Sequence, residues 1–174
     1  MSDSEEHWEV PWAKGIEWST WSPERVAVGK TFAGAIRQTG SLMVLMTQAA
    51  ADRIGINATD LTCLNILSFS GKLTAGELAK ATGLTTASIT GVVDRLEQAG
   101  FVRRERDAQD RRRVVVHLDT ERALSTVAPV FGPMLGAVRR LADRYTDDEL
   151  RLIVEFYAQL EDVLRDHLAI LRQS

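Results

Sequence analysis

Six arginines lie among the thirteen residues of segment 101–113. A guanidinium keeps its positive charge and donates paired hydrogen bonds to phosphates. Residues 72–117 contain nine Lys or Arg and six Asp or Glu, a net charge of +3, although the whole chain has a net charge of −3. A basic patch on an acidic body orients a domain toward phosphates. The alternative is a solvated surface on which these charges form salt bridges.

The segment before the arginines has the spacing of a helix-turn-helix. In residues 78–93, Ala79, Gly83 and Ile89 are separated by four and then six positions. A small residue suits Ala79 because a second helix crosses over it, and Gly83 suits a positive φ at the end of the first helix. Ile89 fills the space between the helices. The spacing predicts a second helix at residues 85–99; an ordinary corner of two helices is the alternative.

The predicted second helix has two different faces. Its apolar residues share one side, which we expect to be buried: Ile89, Val92, Val93 and Leu96. The other side carries small, hydrogen-bonding residues, which let a helix enter a DNA major groove without steric clash. The helix N-terminus also presents backbone N–H groups to phosphates. We expect this side to contact DNA through Thr85, Thr86, Ala87, Ser88, Thr90, Gly91 and Arg95.

A hairpin is predicted directly after the helix-turn-helix. Residues 101–106 and 112–118 have strand character and are joined by residues 107–111, with arginines at the tip. This order predicts the wing of a winged helix, and arginine fits a narrow, electronegative minor groove. We expect Asp107 and Asp110 to shape the turn and to orient the arginines by charge-assisted hydrogen bonds. The predicted DNA contacts of the wing are Arg106, Arg111, Arg112 and Arg113.

The residues around these motifs are predicted to be mostly helical. Pro23 follows a capping serine and begins a long helix that runs to about Ile54, and Asn57 begins a shorter helix. Capping boxes start two further helices, at Thr74 and at Thr146. The predicted fold class is therefore mostly α with a small β wing, a winged helix-turn-helix.

Two further segments break the helical pattern. Segment 120–144 is expected to be helical but kinked, because Pro129 and Pro133 each lack a backbone donor. Residues 1–22 show no helical period and contain all four tryptophans. Since disordered tails avoid such residues, we expect an arm that packs on its own domain, lines a pocket for an aromatic ligand, or lies on a partner subunit.

The composition restricts the class of protein. With 174 residues and 45% hydrophobic content, the chain suits one domain with a real core. A single cysteine excludes an intramolecular disulfide and suits a reducing cytoplasm. The longest uncharged runs, residues 38–51 and 123–138, are shorter than the roughly 20 apolar residues of a membrane span. With no recognisable signal peptide, we expect a cytoplasmic protein without a membrane partner.

No catalytic or metal-binding motif is recognisable. His7, His117 and His167 lack metal-ligand spacing relative to each other or to Cys63, and no nucleophile motif or phosphate loop occurs. We therefore expect no enzyme activity, no metal and no cofactor. Two alternatives to a ligand-responsive DNA-binding protein stay open: a winged-helix module that binds proteins, and a thiol-based redox sensor that uses Cys63. A buried cysteine is more often a small hydrophobic residue.

The chain resembles the MarR family, the multiple-antibiotic-resistance type of transcriptional regulators. The resemblance covers about residues 25–172 and is most specific over residues 73–118. Three runs there follow the family pattern in order and spacing: Asp94-Arg95-Leu96-Glu97, Gly100-Phe101-Val102 and Asp110-Arg111-Arg112. The tryptophan-rich arm is longer than the usual N-terminus of the family.

The resemblance implies an obligate homodimer that binds a pseudo-palindromic operator in double-stranded DNA. Residues 85–99 would occupy the major groove as the recognition helix, and the wing at residues 101–118 would occupy the minor groove. The implied parts of the chain are an arm at residues 1–22, a helical dimerisation domain at residues 23–56 and 119–174, and a winged helix-turn-helix at residues 57–118.

The resemblance also assigns roles to single residues. Arg112 would be the wing-tip arginine in the minor groove, with Arg111 beside it. Arg95 would contact the DNA backbone or lock the wing through nearby aspartates. Relatives often repress transcription and release DNA when a small aromatic or anionic molecule binds between their two domains. The candidate ligand residues here are Arg37, Trp18 and Trp21, although Arg37 suits a surface or dimer-interface charge equally well.

Overall fold

The computed structural model describes residues 19–107, 110 and 113–172. Within them the elements follow in the order α1 (Pro23–Ile54), α2 (Ala58–Ser70), β1 (Leu73–Thr74), α3 (Ala75–Thr82), α4 (Thr86–Gln98), β2 (Val102–Arg106), β3 (Val114–Leu118), α5 (Thr120–Thr126), α6 (Ala128–Ala142) and α7 (Asp147–Leu171). The predicted fold class, mostly α with a small β wing, is confirmed. Three predicted site residues lie outside the described residues: Trp18, Arg111 and Arg112.

The chain divides into two compact units, Met1–Ala49 and Ala50–Ser174. The first contains most of α1. The second contains the last turns of α1 and all the following elements, among them the helix-turn-helix and the wing. The candidate site described below lies within this second unit.

Local capping explains where several helices begin. The Asn57 side chain accepts a hydrogen bond from the backbone N–H of Asp60 at 2.9 Å, which satisfies a free donor in the first turn of α2. Thr74 and Thr146 are the N-caps of α3 and α7, and each forms a complete capping box with the glutamate three residues later. The helix starts predicted at these positions are confirmed.

The predicted kinked helix at residues 120–144 is instead two helices. The break falls at Val127, which ends α5 and precedes α6. Pro129 stands in the first turn of α6, where a helix needs no backbone donor. Pro133 lies inside α6, and the helix continues through it. The first proline therefore marks a helix start and not an interruption.

The sheet contains three antiparallel strands in the order β1-β3-β2. The wing strands β2 and β3 pair in register from Val102 opposite Leu118 to Arg106 opposite Val114. The two-residue strand β1, which the sequence patterns did not indicate, pairs Leu73 with Val116. It connects the start of α3 to the wing, so that the hairpin is attached to the helix-turn-helix along one edge.

The main hydrophobic core lies inside the winged helix. It joins α2, α3, α4 and the sheet through Cys63, Leu64, Leu67, Leu78, Ala79, Ile89, Val92, Val93, Leu96, Phe101, Val102 and Val116. A second, smaller cluster joins the end of α1 to α2 through Ala50, Ala51 and Leu61, with Val130 and Phe131 of α6 packed against it. The four predicted apolar residues of α4 are all in the main core.

The C-terminal helices have a different character. Neither α6 nor α7 contains a buried residue. Both carry large exposed apolar side chains, among them Leu135, Val138, Leu152, Val154, Val163 and Leu164. In the described part of the chain, no helix combines the length and apolar character that a membrane span requires.

Candidate nucleic-acid interface

The turn between α3 and α4 is built on Gly83. Its backbone lies in the left-handed region at φ 71° and ψ 17°, and its N–H donates to the carbonyl of Ala79 at 2.7 Å. This αL cap ends α3 and redirects the chain within two residues. Thr85 then caps α4 by accepting a hydrogen bond from the backbone N–H of Ser88 at 3.1 Å. The predicted helix-turn-helix geometry is therefore present.

The outward face of α4 is polar and open. Residues 85–88 and Thr90 are exposed, whereas Gly91 is half-buried. The hydroxyl of Thr90 donates to the carbonyl of Thr86 at 2.9 Å, and the hydroxyls of Thr85 and Ser88 lie 2.8 Å apart. These local bonds fix the directions of the hydroxyl groups and leave lone pairs as acceptors on the surface. The first turn of α4 thus presents ordered polar groups and backbone donors.

Arg95 is held by α2 and not by the wing. Its Nε and Nη2 donate to the two carboxylate oxygens of Asp60 at 3.0 and 2.6 Å. The expectation that Arg95 locks the wing through nearby aspartates is therefore wrong, because Arg95 pairs with Asp60 of α2. The cause is the packing of α4 across α2, which brings Arg95 over Asp60 at the start of α2.

Arg104 makes the connection between wing and helix that sequence reasoning missed. From β2, its guanidinium contacts Glu97 and also donates to Asp94 at 2.5 Å, and both acids lie on α4. The backbone N–H of Arg104 also donates to the Glu97 carboxylate at 3.1 Å. The three bonds attach strand β2 of the wing to α4. The acidic residues in the family-like run were the available signal, but their partner was not deducible from spacing.

Further polar contacts link the wing strands to their neighbours. Glu105 of β2 contacts Lys72 before β1 and also His117 of β3, and Arg103 contacts Asp119 after β3. The Lys72 ammonium group is the main cause that lowers the pKa of Glu105. A hydrogen bond from the backbone of Arg122 is the largest of the effects that lower the pKa of Asp119. Both carboxylates therefore stay ionised at neutral pH.

The base of the wing turn is also ordered. The backbone N–H of Asp107 donates to the carbonyl of Arg113 at 3.0 Å, and the N–H of Arg113 donates to the carbonyl of Asp110 at 2.9 Å. The Asp107 carboxylate accepts from the backbone N–H of Asp110 at 3.3 Å. The Arg113 guanidinium reaches Glu77 of α3 at 2.8 Å, and Arg106 is exposed.

Arg172, after the end of α7, lies directly on the helix-turn-helix. Its Nη2 donates to the carbonyl of Thr82 at 2.6 Å. Its guanidinium occupies the space of a side chain at Gly83, since a Cβ there would stand 1.9 Å from Arg172 Cζ. Sequence reasoning explained Gly83 by its backbone conformation alone, because the approach of Arg172 comes from a residue 89 positions away.

The described candidate ligand residues, Trp21 and Arg37, lie in the first compact unit. Trp21 stacks under the guanidinium of Arg25 at 4.8 Å from the ring centre. An open groove of about 530 Å³ runs beside them and is lined in part by Val28 and Phe32. Its lining ends at Phe32, more than one helical turn before Arg37.

Cys63 does not have the environment of a redox sensor. The side chain is fully buried in the main core. Burial, with a smaller contribution from the Asp60 carboxylate, raises the pKa of the thiol to about 11. Since the thiolate is the reactive form, reaction with oxidants at neutral pH is disfavoured. Among the described residues, no three His, Cys, Asp or Glu side chains are placed to hold a metal ion.

Comparison with known proteins identifies related regulators. A family model described as the MarR family matches residues 56–114. The HTH-type transcriptional regulator YcgE of Bacillus subtilis (strain 168) is 41% identical over 149 residues, which cover 86% of this chain and 96% of YcgE. The HTH-type transcriptional repressor YetL of the same strain is 33% identical over 91 residues, which cover 51% of this chain and 53% of YetL.

Solved structures have the same fold. A mutant of MepR from a multidrug-resistant clinical isolate of S. aureus matches with a TM-score of 0.64 and 19% identity, covering 76% of this chain and 96% of that one. A second S. aureus MepR mutant, which is bound to an oligodeoxyribonucleotide in its structure, matches with a TM-score of 0.50 and 19% identity over 76% of this chain and 97% of that one. At this identity, the likeness establishes the architecture alone.

Proposed function

We propose that this chain, which belongs to the MarR family of transcriptional regulators, is a homodimeric repressor of a pseudo-palindromic operator that a small ligand releases from DNA. As a family member, it is a DNA-binding transcriptional regulator and not an enzyme. The repressor role draws support from YetL, which is a transcriptional repressor.

The observation that carries the proposal is the division of α4 into two faces. Ile89, Val92, Val93 and Leu96 are buried in the main core, while residues 85–88 and Thr90 on the opposite side are exposed. A helix anchored on one side can insert its other side into a major groove without losing core contacts. Small side chains let the backbone approach the bases closely. We therefore assign α4 as the recognition helix.

The wing is assigned to the flanking minor groove. Arg104 attaches β2 to α4, so the hairpin has a defined direction relative to the recognition helix. Arginine is favoured in a narrow minor groove because the negative potential is concentrated there. The proposed wing contacts are Arg106 and Arg113, together with Arg111 and Arg112 as the resemblance implies. The second MepR mutant, which shares the fold, is bound to an oligodeoxyribonucleotide.

The dimerisation surface is assigned to the helices outside the main core. Segments 23–56 and 119–174 contain α1, α6 and α7, whose exposed apolar residues include Val44, Leu135, Val154 and Val163. So many large apolar side chains on the surface are characteristic of an interaction surface. A second copy is the expected partner, and half-sites about one helical turn apart follow from a two-fold dimer.

A ligand site is proposed near the start of α1. Trp21 and Arg25 border an open apolar groove, and aromatic rings with a guanidinium suit an aromatic acid. Of the candidate ligand residues, Trp21 lines this groove, Arg37 lies beyond its lining, and Trp18 lies outside the described residues. Release of DNA requires that the ligand bind the DNA-free state more tightly than the DNA-bound state.

The test of DNA binding is selection of duplexes from a random pool, followed by titration of the selected site over several salt concentrations. Tight binding should weaken steeply as salt rises, because counterions return to the phosphates. Ala87→Glu places a carboxylate at the start of α4, where it favours the helix dipole but repels phosphate. It should abolish binding in a folded protein.

The matched control is Gln159→Glu, which adds the same charge on α7 and should leave binding unchanged. Binding of the Ala87→Glu variant at wild-type affinity would exclude α4 as the recognition helix. If no duplex is selected, the assignment of α4 and the wing to DNA is overturned, and the alternative of a protein-interaction module is favoured.

A further inference from the structure

Asp60 is unusual among the charged residues of the described chain. It is 2% exposed, and it is the only charged residue that is buried in the described part of the chain. Taking a carboxylate out of water is unfavourable unless a partner compensates the charge. Here the partner is Arg95, whose side chain is 52% exposed. The pair therefore joins a buried acid of α2 to a half-exposed base on α4.

The hydrogen bonds leave one edge of the guanidinium unused. Asp60 binds Nε and Nη2, and Nη1 takes no hydrogen-bond partner among the described residues. Nη1 lies 3.7 Å from the position of a Cβ at Gly91, one turn earlier on α4. The guanidinium therefore folds back along α4 toward its exposed N-terminal half. Its free edge lies beside Gly91, one of the residues that the sequence predicts to contact DNA.

A guanidinium held in this way needs little reorganisation on binding. A free arginine loses much rotamer freedom when it contacts a ligand, and ordering it in advance removes that cost from the binding step. The hydrogen bonds from Arg95 to Asp60 raise the pKa of Arg95 further, so the group stays charged. The fork geometry also limits the directions in which Nη1 can donate.

We propose that Asp60 is a positioning residue that holds Arg95 so that Nη1 donates to a DNA backbone phosphate beside the recognition helix. This inference rests on the DNA-binding function proposed above. Asp60 itself does not touch DNA. It acts by fixing the guanidinium, in the way that outer-shell carboxylates orient the ligands of a metal site.

Asp60→Asn distinguishes positioning from simple charge. The variant gains one positive charge close to DNA, and electrostatics alone predicts tighter binding. Positioning predicts the opposite. The affinity of the variant for the selected duplex should fall about five- to tenfold, and thermal melting should show that the variant is folded. Asp148→Asn, which makes the same charge change on α7, is the control and should not weaken binding. Unchanged or tighter binding by Asp60→Asn overturns the proposal.

A double-mutant cycle with Arg95→Gln tests whether Asp60 acts through Arg95. Arg95→Gln should weaken binding at least as much as Asp60→Asn, and adding Asp60→Asn to it should cause no further loss. An equal loss in both backgrounds would show that Asp60 supports the core only, which overturns the proposal.

Arg95→Lys covers the case in which the Asp60 variant does not fold, because Arg95 is half-exposed. Lysine keeps the charge but lacks the forked guanidinium group, so the Arg95→Lys variant should bind DNA as weakly as Arg95→Gln. Wild-type affinity of Arg95→Lys overturns the positioning role. These outcomes are separable from a failure of the proposed function, since in that case the wild-type protein itself would select no duplex.

Discussion

The winged helix and the C-terminal helices differ in how far they bury their apolar residues. In the winged helix, α2, α3, α4 and the sheet cover one another, and residues such as Leu67 and Ile89 are completely enclosed. In α7, which is longer than any of those helices, no residue is buried, and Val154 and Val163 are 68% and 63% exposed. The winged helix therefore completes its core within one chain, whereas α7 leaves its apolar side chains exposed.

This difference explains why the two regions have different sequence requirements. The winged helix depends on steric fit, as at Ala79, which lies in the core that α3 and α4 share, and on glycine at the turn. In α7 a periodic apolar stripe is sufficient to form an amphipathic helix, because none of its side chains is enclosed in a core of this chain.

The largest expected effect is the loss of the dimer. Leu164→Glu places a charge in the apolar stripe of α7, and burying an unpaired charge costs several kcal/mol or more. We expect a monomer of 19.3 kDa by light scattering, compared with a dimer for the wild type. Gln159→Glu adds the same charge to a polar position of α7 and should stay dimeric. A dimeric Leu164→Glu protein would remove α7 from the interface.

The second effect concerns the closed core. Leu67→Ala should lower the free energy of unfolding by about 2–5 kcal/mol, because Leu67 is 1% exposed and its truncation leaves a cavity. Leu124→Ala on α5, where Leu124 is 65% exposed, should change it by less than about 0.5 kcal/mol. Urea unfolding at one protein concentration compares the two variants. Similar losses would contradict the contrast between buried and open regions.

The third effect concerns the wing. Arg112→Ala should weaken DNA binding by about 1–3 kcal/mol and reduce the slope of log affinity against log salt by about one, if Arg112 enters the minor groove. Arg165→Ala removes an arginine that pairs with Glu161 and Asp162 on its own helix, and should leave DNA affinity unchanged. Equal affinities of the folded Arg112→Ala dimer and the wild type would exclude the wing-tip assignment.

A smaller effect is expected at the turn. Gly83→Ala should destabilise the protein by about 1–2 kcal/mol. An alanine at φ 71° has a strained backbone, and its Cβ would displace Arg172. Gly76→Ala in α3 meets no atom within 4 Å and should stabilise by about 0.5–1 kcal/mol. Thermal unfolding of the two variants measures whether each substitution raises or lowers the stability of the protein. Stabilisation by Gly83→Ala would refute the tight approach of Arg172.

The smallest effect is a pH dependence at the start of α7. Hydrogen bonds from Thr146 lower the pKa of Glu149 from its ordinary value of 4.5. A carboxyl with a lowered pKa in the folded state stabilises above the unfolded-state pKa, and this contribution is lost as pH falls through the folded-state pKa. Glu149→Gln should therefore be slightly less stable than the wild type at pH 7, and the difference should close as the pH falls below the ordinary pKa of 4.5 and through the lowered folded-state pKa. A difference that is constant with pH would contradict this.

Local chemistry made much of this fold predictable. The capping boxes at Thr74 and Thr146 and the αL glycine at position 83 are interactions within a few residues, so sequence spacing is enough to recognise them. The buried side of α4 follows from helical periodicity in the same way. Ion pairs between different elements were not predictable. Arg104 of β2 reaches back over the turn after α4 to Asp94 and Glu97, and Arg95 pairs with Asp60, 35 residues earlier.

The sequence by itself determined the capped starts of α2, α3 and α7, the helix-turn-helix and the charge of the wing, because these depend on residue type at short separations. Tertiary structure alone decided which ion pairs form, that β1 joins the wing, and that Arg172 occupies the space above Gly83. Such contacts depend on the angles at which helices cross and strands pair. Those angles result from packing the whole core, and no local pattern of residues encodes them.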